Sequence, residues 1–232
     1  EEKTNYSQSF YSNGSTIRST TISFYEGGLR ASSATGLALT EQHTYRGGVA
    51  GSDATATLKL QSKTYLKGAE NEEKTDFTQN YYSNGSVVRS TTISFYEGGA
   101  RAVSAVGLAL KEQDSYRLGT VGSDSLAGLK LQSKTYLVGA ENEEKTDFSQ
   151  NYYSNGSAVR STTISIYEGQ KRASVADAGS AIRQQDTWRL GTAGSDSLTG
   201  LKIQSRAYLV GNDGEEKTNY SQSFYSNGST IR

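Results

Sequence analysis

Asp76–Gly99 reads DFTQNYYSNGSVVRSTTISFYEGG, and this stretch decides the fold class. Its centre, Asn84-Gly85, is a strong hairpin signal, because a type I′ turn holds both central residues at positive φ. Tyr81-Tyr82 lead into the turn and Val87-Val88 lead out of it, and both residue classes favour strands. The β-branched run Ser90–Ser94 continues the second strand, and Glu97-Gly98-Gly99 marks the next turn. The spacing predicts two antiparallel strands around a tight turn.

The same text recurs along the chain. Glu-Glu-Lys-Thr begins at Glu1, Glu72, Glu143 and Glu215, at spacings of 71, 71 and 72 residues. The hairpin pair recurs as Asn13-Gly14 and Asn155-Gly156, and Gly-Ser-Asp recurs at Gly51, Gly122 and Gly194. Residues 1–71, 72–142 and 143–214 are therefore three repeats, and 215–232 starts a fourth. Residues 215–232 are identical to residues 1–18, whereas the internal copies carry Asp76-Phe77 and Asp147-Phe148 in place of Asn5-Tyr6. Two explanations compete for the matching ends. The chain is a window on a longer array, or one subunit carries the same strand twice and lends one copy to a neighbour.

Each repeat predicts about four antiparallel strands joined by Asn-Gly and Gly-Gly turns, so the fold class is all-β. Between Leu126 and Val138, Leu129, Leu131, Ser133, Thr135 and Leu137 alternate with Lys130, Gln132, Lys134 and Tyr136, the period of a strand with one buried face. Ala102–Gln113 reads as a strand, because Gly107 inside it weakens a helix by about 1 kcal/mol. The absence of Pro suits uninterrupted ladders. One 71-residue unit with a modest apolar face is marginal alone, and stacked neighbours bury a continuous strip. The expected architecture is an elongated sheet, sandwich or solenoid. A closed propeller is disfavoured, because the fourth copy duplicates the first strand pair.

Composition removes several function classes. The 232 residues include 33 Ser and 24 Thr, one His, and no Cys, Met or Pro. Without Cys there is no disulfide frame or thiolate site. The 24 Lys+Arg balance 24 Asp+Glu, so net charge predicts no nucleic-acid footprint. Mean hydropathy of −0.64 argues against membrane insertion. The polar opening Glu1-Glu2-Lys3-Thr4 lacks signal-peptide features and reads as an already processed start.

Candidate chemistry is thin. His43 stands where the other repeats have Asp114 and Asp186, without recurring partners, and reads as a solvent-facing strand residue. The pairs Glu1-Glu2, Glu72-Glu73 and Glu143-Glu144 offer calcium oxygens, but each precedes a Lys and reads as a charged turn. Asp53, Asp124 and Asp196 are expected to close Asx-turns. Asn13, Asn84, Asn155 and Asn227 lie in glycosylation sequons, as do Asn5 and Asn219, although the turn already explains the first set. Tyr11, Tyr25, Tyr45 and Tyr65 recur with their copies as cross-strand partners or sugar platforms, and Trp188 takes the place of Tyr45.

The general style is similar to that of secreted repeat proteins that build fibres, matrix or adhesive stalks. The leading expectation is a secreted structural protein, not an enzyme and without a cofactor, that assembles with itself by strand pairing. Zero net charge removes the repulsion between copies. The assembly residues are Asn5, Tyr6, Phe10, Tyr11 and Ile17, matched by Asn219, Tyr220, Phe224, Tyr225 and Ile231, with the Asn-Gly turns fixing register. The alternative is a repeat lectin or surface adhesin that binds a glycan or surface, with one aromatic-polar site per repeat built around Tyr25 and Tyr65.

Overall fold

A computed structural model describes residues 2–232; Glu1, part of the first carboxylate pair, lies outside the described residues. The chain is all-β and antiparallel, and its helical pieces are single 3-10 turns such as Glu26–Gly28 and Ala102–Ser104. It divides into two compact units, residues 2–106 with 116–129, and residues 107–115 with 130–232.

The first unit holds β1 (Tyr6–Phe10), β2 (Ile17–Tyr25), β3 (Leu39–Arg46), β4 (Lys59–Lys67), β5 (Lys74–Tyr81) and β6 (Val88–Tyr96), each paired to the next in chain order. Strand β7 (Leu110–Arg117) straddles the division. The second unit holds β8 (Lys130–Val138), β9 (Lys145–Tyr152), β10 (Val159–Tyr167), β11 (Lys171–Arg172), β12 (Ile182–Arg189), β13 (Lys202–Val210) and β14 (Lys217–Ser223). There β8, β9, β10, β12, β13 and β14 pair in order, with β11 added beside β10. The strand order is open, since β1 and β14 each pair on one side only.

Within each unit the ladders between long strands each skip one residue. Tyr45 opposes Leu60 although Thr44 opposes Ser62, so Gln61 has no partner; Gln204 is skipped in the same way between β12 and β13. Such bulges bend the strand and reset which side a side chain faces. Their effect corrects the alternation expected for Leu126–Val138. The face with Lys134 and Tyr136 is the covered one, because Tyr136 stacks on Phe148 and a Cβ added at Gly194 would lie 3.7 Å from its hydroxyl. Ser133 and Thr135 belong to the open face. There, rows such as Ser7–Thr21–Thr44–Ser62–Asn80–Ser90 cross the first unit, and Thr21 and Thr44 share a 2.9 Å hydroxyl bond.

The core lies between the other face and loops that fold back over it. Ile22, Phe77, Tyr81, Val88 and Ile93 are buried there in the first unit, and Phe148, Tyr152, Val159 and Ile164 in the second. The segment 102–109 corrects the expected strand. Ala102–Ser104 is a 3-10 turn, Ala102, Ala105 and Ala109 are buried, and strand begins only at Leu110. Alanine there supplies a small apolar surface that lets the loop lie close to the sheet. The Gly-Gly turns are likewise the start of a long connection, spanning residues 26–38 between β2 and β3, and not a tight hairpin.

The Asn-Gly hairpins also differ from the type I′ expectation. Gly85 adopts φ of +76° while Asn84 stays out of the positive region. Gly85 N–H donates to Tyr82 O at 2.9 Å, and Tyr82 N–H donates to Val87 O at 3.0 Å, so four residues form the loop. Asn84 earns its place through its side chain, whose Oδ1 accepts from the N–H groups of Ser86 and Val87. Asn13-Gly14 and Asn155-Gly156 repeat this pattern.

A Cβ on Gly85 would sit 2.8 Å from the backbone nitrogen of Leu60, whereas a Cβ on Gly14 would meet nothing within 4 Å. Gly85→Ala therefore combines left-handed strain with a backbone clash and is expected to cost about 2 kcal/mol or more. Gly14→Ala carries the strain alone. Thermal melts should rank Gly85→Ala clearly below Gly14→Ala, and equal melting temperatures would refute the packing role.

Candidate functional site

The joint between repeats is where the last strand of one repeat receives the first strand of the next. It occurs as β4 with β5, β8 with β9, and β13 with β14, through the pairs Tyr65–Phe77, Tyr136–Phe148 and Tyr208–Tyr220. Each pair stacks its rings, with centroids 4.2, 4.3 and 4.4 Å apart and tilts of 15°, 18° and 22°. Offset stacking adds about 1 kcal/mol to the burial of two rings. Burial also pushes the hydroxyls of Tyr65 and Tyr136 up to about 12, so both stay neutral.

Beside each ring pair the ladder skips a residue: Asp76, Asp147 and Asn219 have no opposite partner. The skipped residue and the stacked ring are thus two of the positions that distinguish internal repeats from the 215–232 copy. Asp76 accepts from Arg101 Nε at 3.0 Å, and Arg172 grips Asp147 at 3.0 and 2.8 Å. The same arginines reach Asp124 and Asp196, joining the two long loops of one repeat over the sheet. Asp53 likewise receives Arg30 at 2.8 Å. These aspartates hold arginines, which replaces the expected Asx-turn role.

The chain turns at the joint through Gly139, whose φ is +124° and whose Cβ would lie 2.5 Å from Glu143 O. Of the glutamates read as a charged turn, Glu73 and Glu144 accept the N–H groups of Leu39 and Leu110, and Glu216 in the fourth copy accepts that of Ile182, all at 2.8 Å. These bonds anchor the long connection to the joint. A cleft beside Lys145, Tyr167 and Glu216 has its polar groups engaged: Lys145 donates to Ser180 O and Tyr167 to Thr146 O. Among the described residues no group of three or more His, Asp and Glu is placed to hold a metal ion.

The terminal segments have identical sequences and different surroundings. Tyr6 opposes Ile22 of β2, while Tyr220 stacks on Tyr208 of β13. Asn5 Nδ2 reaches Asp53 at 3.5 Å, and its carbonyl accepts from Ser23 N–H. Ile17 is 6% exposed but Ile231 is 53% exposed; Phe224 bridges to Ile231 and donates its N–H to Gln204 O. Phe10, Tyr11 and Tyr225 are exposed.

Sequence reasoning missed the glutamine in the first strand of each repeat. Gln79 is fully buried, donates to Thr120 O and Ser123 O at 2.8 and 3.0 Å, and accepts from Gly122 N–H at 2.9 Å. Gln150 makes the same set with Thr192, Ser195 and Gly194, and Gln8 with Val49, Ser52 and Gly51. The available signal was a glutamine copied at one position beside a copied Gly-Ser-Asp.

The position held by His43, Asp114 and Asp186 also lies on the covered face, not toward solvent. His43 bonds Glu41 at 2.6 Å and packs against Phe24. Asp114 pairs with Lys134 at 2.8 Å, and Arg206 grips Asp186 with two 2.6 Å bonds. Burial lowers the His43 pKa from its usual value, ahead of the opposing Glu41 bond. Burial pushes the Asp114 carboxyl up to about 6, against the pull of Lys134.

Two tests follow from these groups. Gln79→Ala leaves three loop groups without their partner and is expected to cost about 2–4 kcal/mol, with faster amide exchange in residues 118–123; unchanged exchange there would refute the anchoring role. For pH, a lowered histidine binds fewer protons folded than unfolded, so the first unit loses stability as pH falls through the range below 6.5. A raised carboxyl binds more protons folded, so Asp114 makes the second unit gain stability as pH falls from about 6 toward 4. His43→Asn and Asp114→Asn should each flatten one of these opposite slopes in amide-exchange profiles between pH 4.5 and 7.

No protein-family model, curated protein or solved structure matches this chain.

Proposed function

We propose that this chain is a structural extracellular protein whose roughly 71-residue repeats add end to end into a fibre or matrix filament. Its partner is another copy of itself or a continuing array, and the role needs neither catalysis nor a cofactor. The observation that carries the reading is the joint: the pairs Tyr65–Phe77, Tyr136–Phe148 and Tyr208–Tyr220 join successive repeats in one register. A joint that repeats without closing is a rule for indefinite addition. Main-chain bonds supply its affinity, and the ring pair with the skipped residue supplies its register. In this reading Asn219, Tyr220, Phe224, Tyr225 and Ile231 form the added strand and hairpin, and Asn5–Ile17 is the same element already paired to β2. The lectin alternative loses its original platforms, since Tyr25 is buried and Tyr65 is stacked on Phe77.

Electron microscopy of the purified chain should show filaments, with fibre diffraction near 4.7–4.8 Å along their axis from strands stacked in that direction. Deleting residues 215–232 should abolish them. Filaments that survive the deletion would refute strand donation, and compact monomers of the intact chain would refute the fibre.

A further inference from the structure

The balanced charge of the sequence conceals a sorting by position. Glu72, Glu73, Glu143, Glu144, Glu215 and Glu216 all belong to the joints. The opposite ends of the strands, where the Asn-Gly hairpins lie, carry Arg18, Arg46, Lys59 and Arg89 in the first unit, all exposed. In the second unit the same ends carry Lys130, Arg160, Arg189 and Lys202.

Two features together mark these cations, the first of them shared with Lys67 and Lys74, which face each other at the joint. Arg46 stands directly opposite Lys59, and Arg189 directly opposite Lys202. Like charges facing each other across strands destabilise a sheet, yet both units retain the arrangement. None of these four makes an ion pair among the described residues, and the aspartates of the neighbouring loops are committed to Arg30, Arg101 and Arg172. The Nε of Arg189 is buried with no hydrogen-bond partner.

An exposed ring stands beside each pair. Arg46 Nη2 donates to Tyr81 O at 3.3 Å, and Arg189 Nη2 to Phe224 O at 3.1 Å, so each guanidinium reaches the adjoining hairpin. The next residues, Tyr82 and Tyr225, are 45% and 52% exposed. Strand alternation turns Tyr82 away from buried Tyr81, toward the side of Asn80, whose amide bonds Ser90 at 3.4 Å. Guanidinium, ammonium, ring and amide thus share one end of the open face.

We infer that this end of the sheet is a binding strip for an acidic polysaccharide, a chain of uronate sugars. The carboxylates answer the facing cations, with the guanidinium fork suited to a two-oxygen acceptor. The tyrosine offers a flat surface to a sugar ring, and the Asn80 amide pairs with its hydroxyls. Within one strip the facing cations and the ring span β3, β4 and the end of β5, roughly 10 Å at the strand spacing of a sheet, which favours a polymer over a single sugar. This inference is independent of filament formation, because the first strip lies within its own unit and the second repeats its cations and exposed ring within the other.

The test uses the full soluble chain on immobilised alginate, a polyuronate, with neutral dextran and single-stranded polydeoxythymidine as comparison surfaces. Retention on alginate at low salt, released by added salt and absent on dextran, is the expected result. Arg46→Gln with Lys59→Gln, or Arg189→Gln with Lys202→Gln, should weaken retention about tenfold while the melting temperature holds or rises, since a repulsive pair is removed. Tyr82→Ala should weaken it further without changing the salt dependence. Failure of the intact chain to bind alginate would overturn the inference, as would equal or stronger retention on polydeoxythymidine. Charge variants that lose affinity only in proportion to a falling melting temperature would overturn it too, by assigning the cations a structural role.

Discussion

The amide of Gln79 accepts one loop N–H and donates to two loop carbonyls, and the covered face of the first unit depends on that exchange. A sheet built from Ser, Thr and Tyr has too little apolar surface to be stable uncovered, so its loops must fold back and form a second wall. A loop that does so buries backbone polar groups, which are costly without partners. One glutamine meets that demand at Thr120, Gly122 and Ser123, and Gln150 does so in the second unit. Thr91 adds a bond to Leu118 O at 3.0 Å, and Arg101 fixes the far side of the loop through Asp124. Once both loops are held, Ile93, Phe77 and the alanines of 102–105 have a dry interior to fill.

Register is the second constraint, and the skipped residues set it. A strand with strict alternation would present Leu131 and Tyr136 to opposite sides. The skip seen at Gln61 and Gln204 brings an aliphatic and an aromatic residue onto one face, as with Ile203 and Tyr208 in β13. At the joints the skip singles out Asp76 and Asp147, which become sockets for Arg101 and Arg172. The irregular position of each ladder therefore serves as its specific contact. This ties repeat addition to loop closure, because one arginine binds both the joint and the neighbouring loop.

Much of this was legible in sequence. Hairpin positions, strand content and the four-strand rhythm follow from period 2, Asn-Gly and Gly-Gly punctuation, and the absence of Pro. The errors are instructive. The role of Asn84 was assigned to its backbone when its side chain carries it. Ala102–Ser104 is a 3-10 turn because tertiary burial decides the fate of a small-residue segment with weak local preference. The roles of Gln79, Asp53 and Asp76 are not legible locally, since their partners lie 23 to 44 residues away and no local pattern connects them. Net charge was the most misleading quantity, because a sum of zero carries no information about sorting along the strands.

The matching ends separate the two levels most clearly. Sequence alone determined that residues 1–18 and 215–232 have one local design: a strand, an Asn-Gly loop and a return. Their hairpin bonds agree, with Gly14 donating to Tyr11 O and Gly228 to Tyr225 O, both at 2.9 Å. Tertiary structure alone decided that Ile17 is buried and Ile231 exposed, and that Tyr6 faces Ile22 while Tyr220 stacks on Tyr208. The physical reason is that turn geometry depends on the few residues it contains, whereas burial depends on which strand supplies the other side. An identical segment therefore folds alike in both places and acquires a different environment in each.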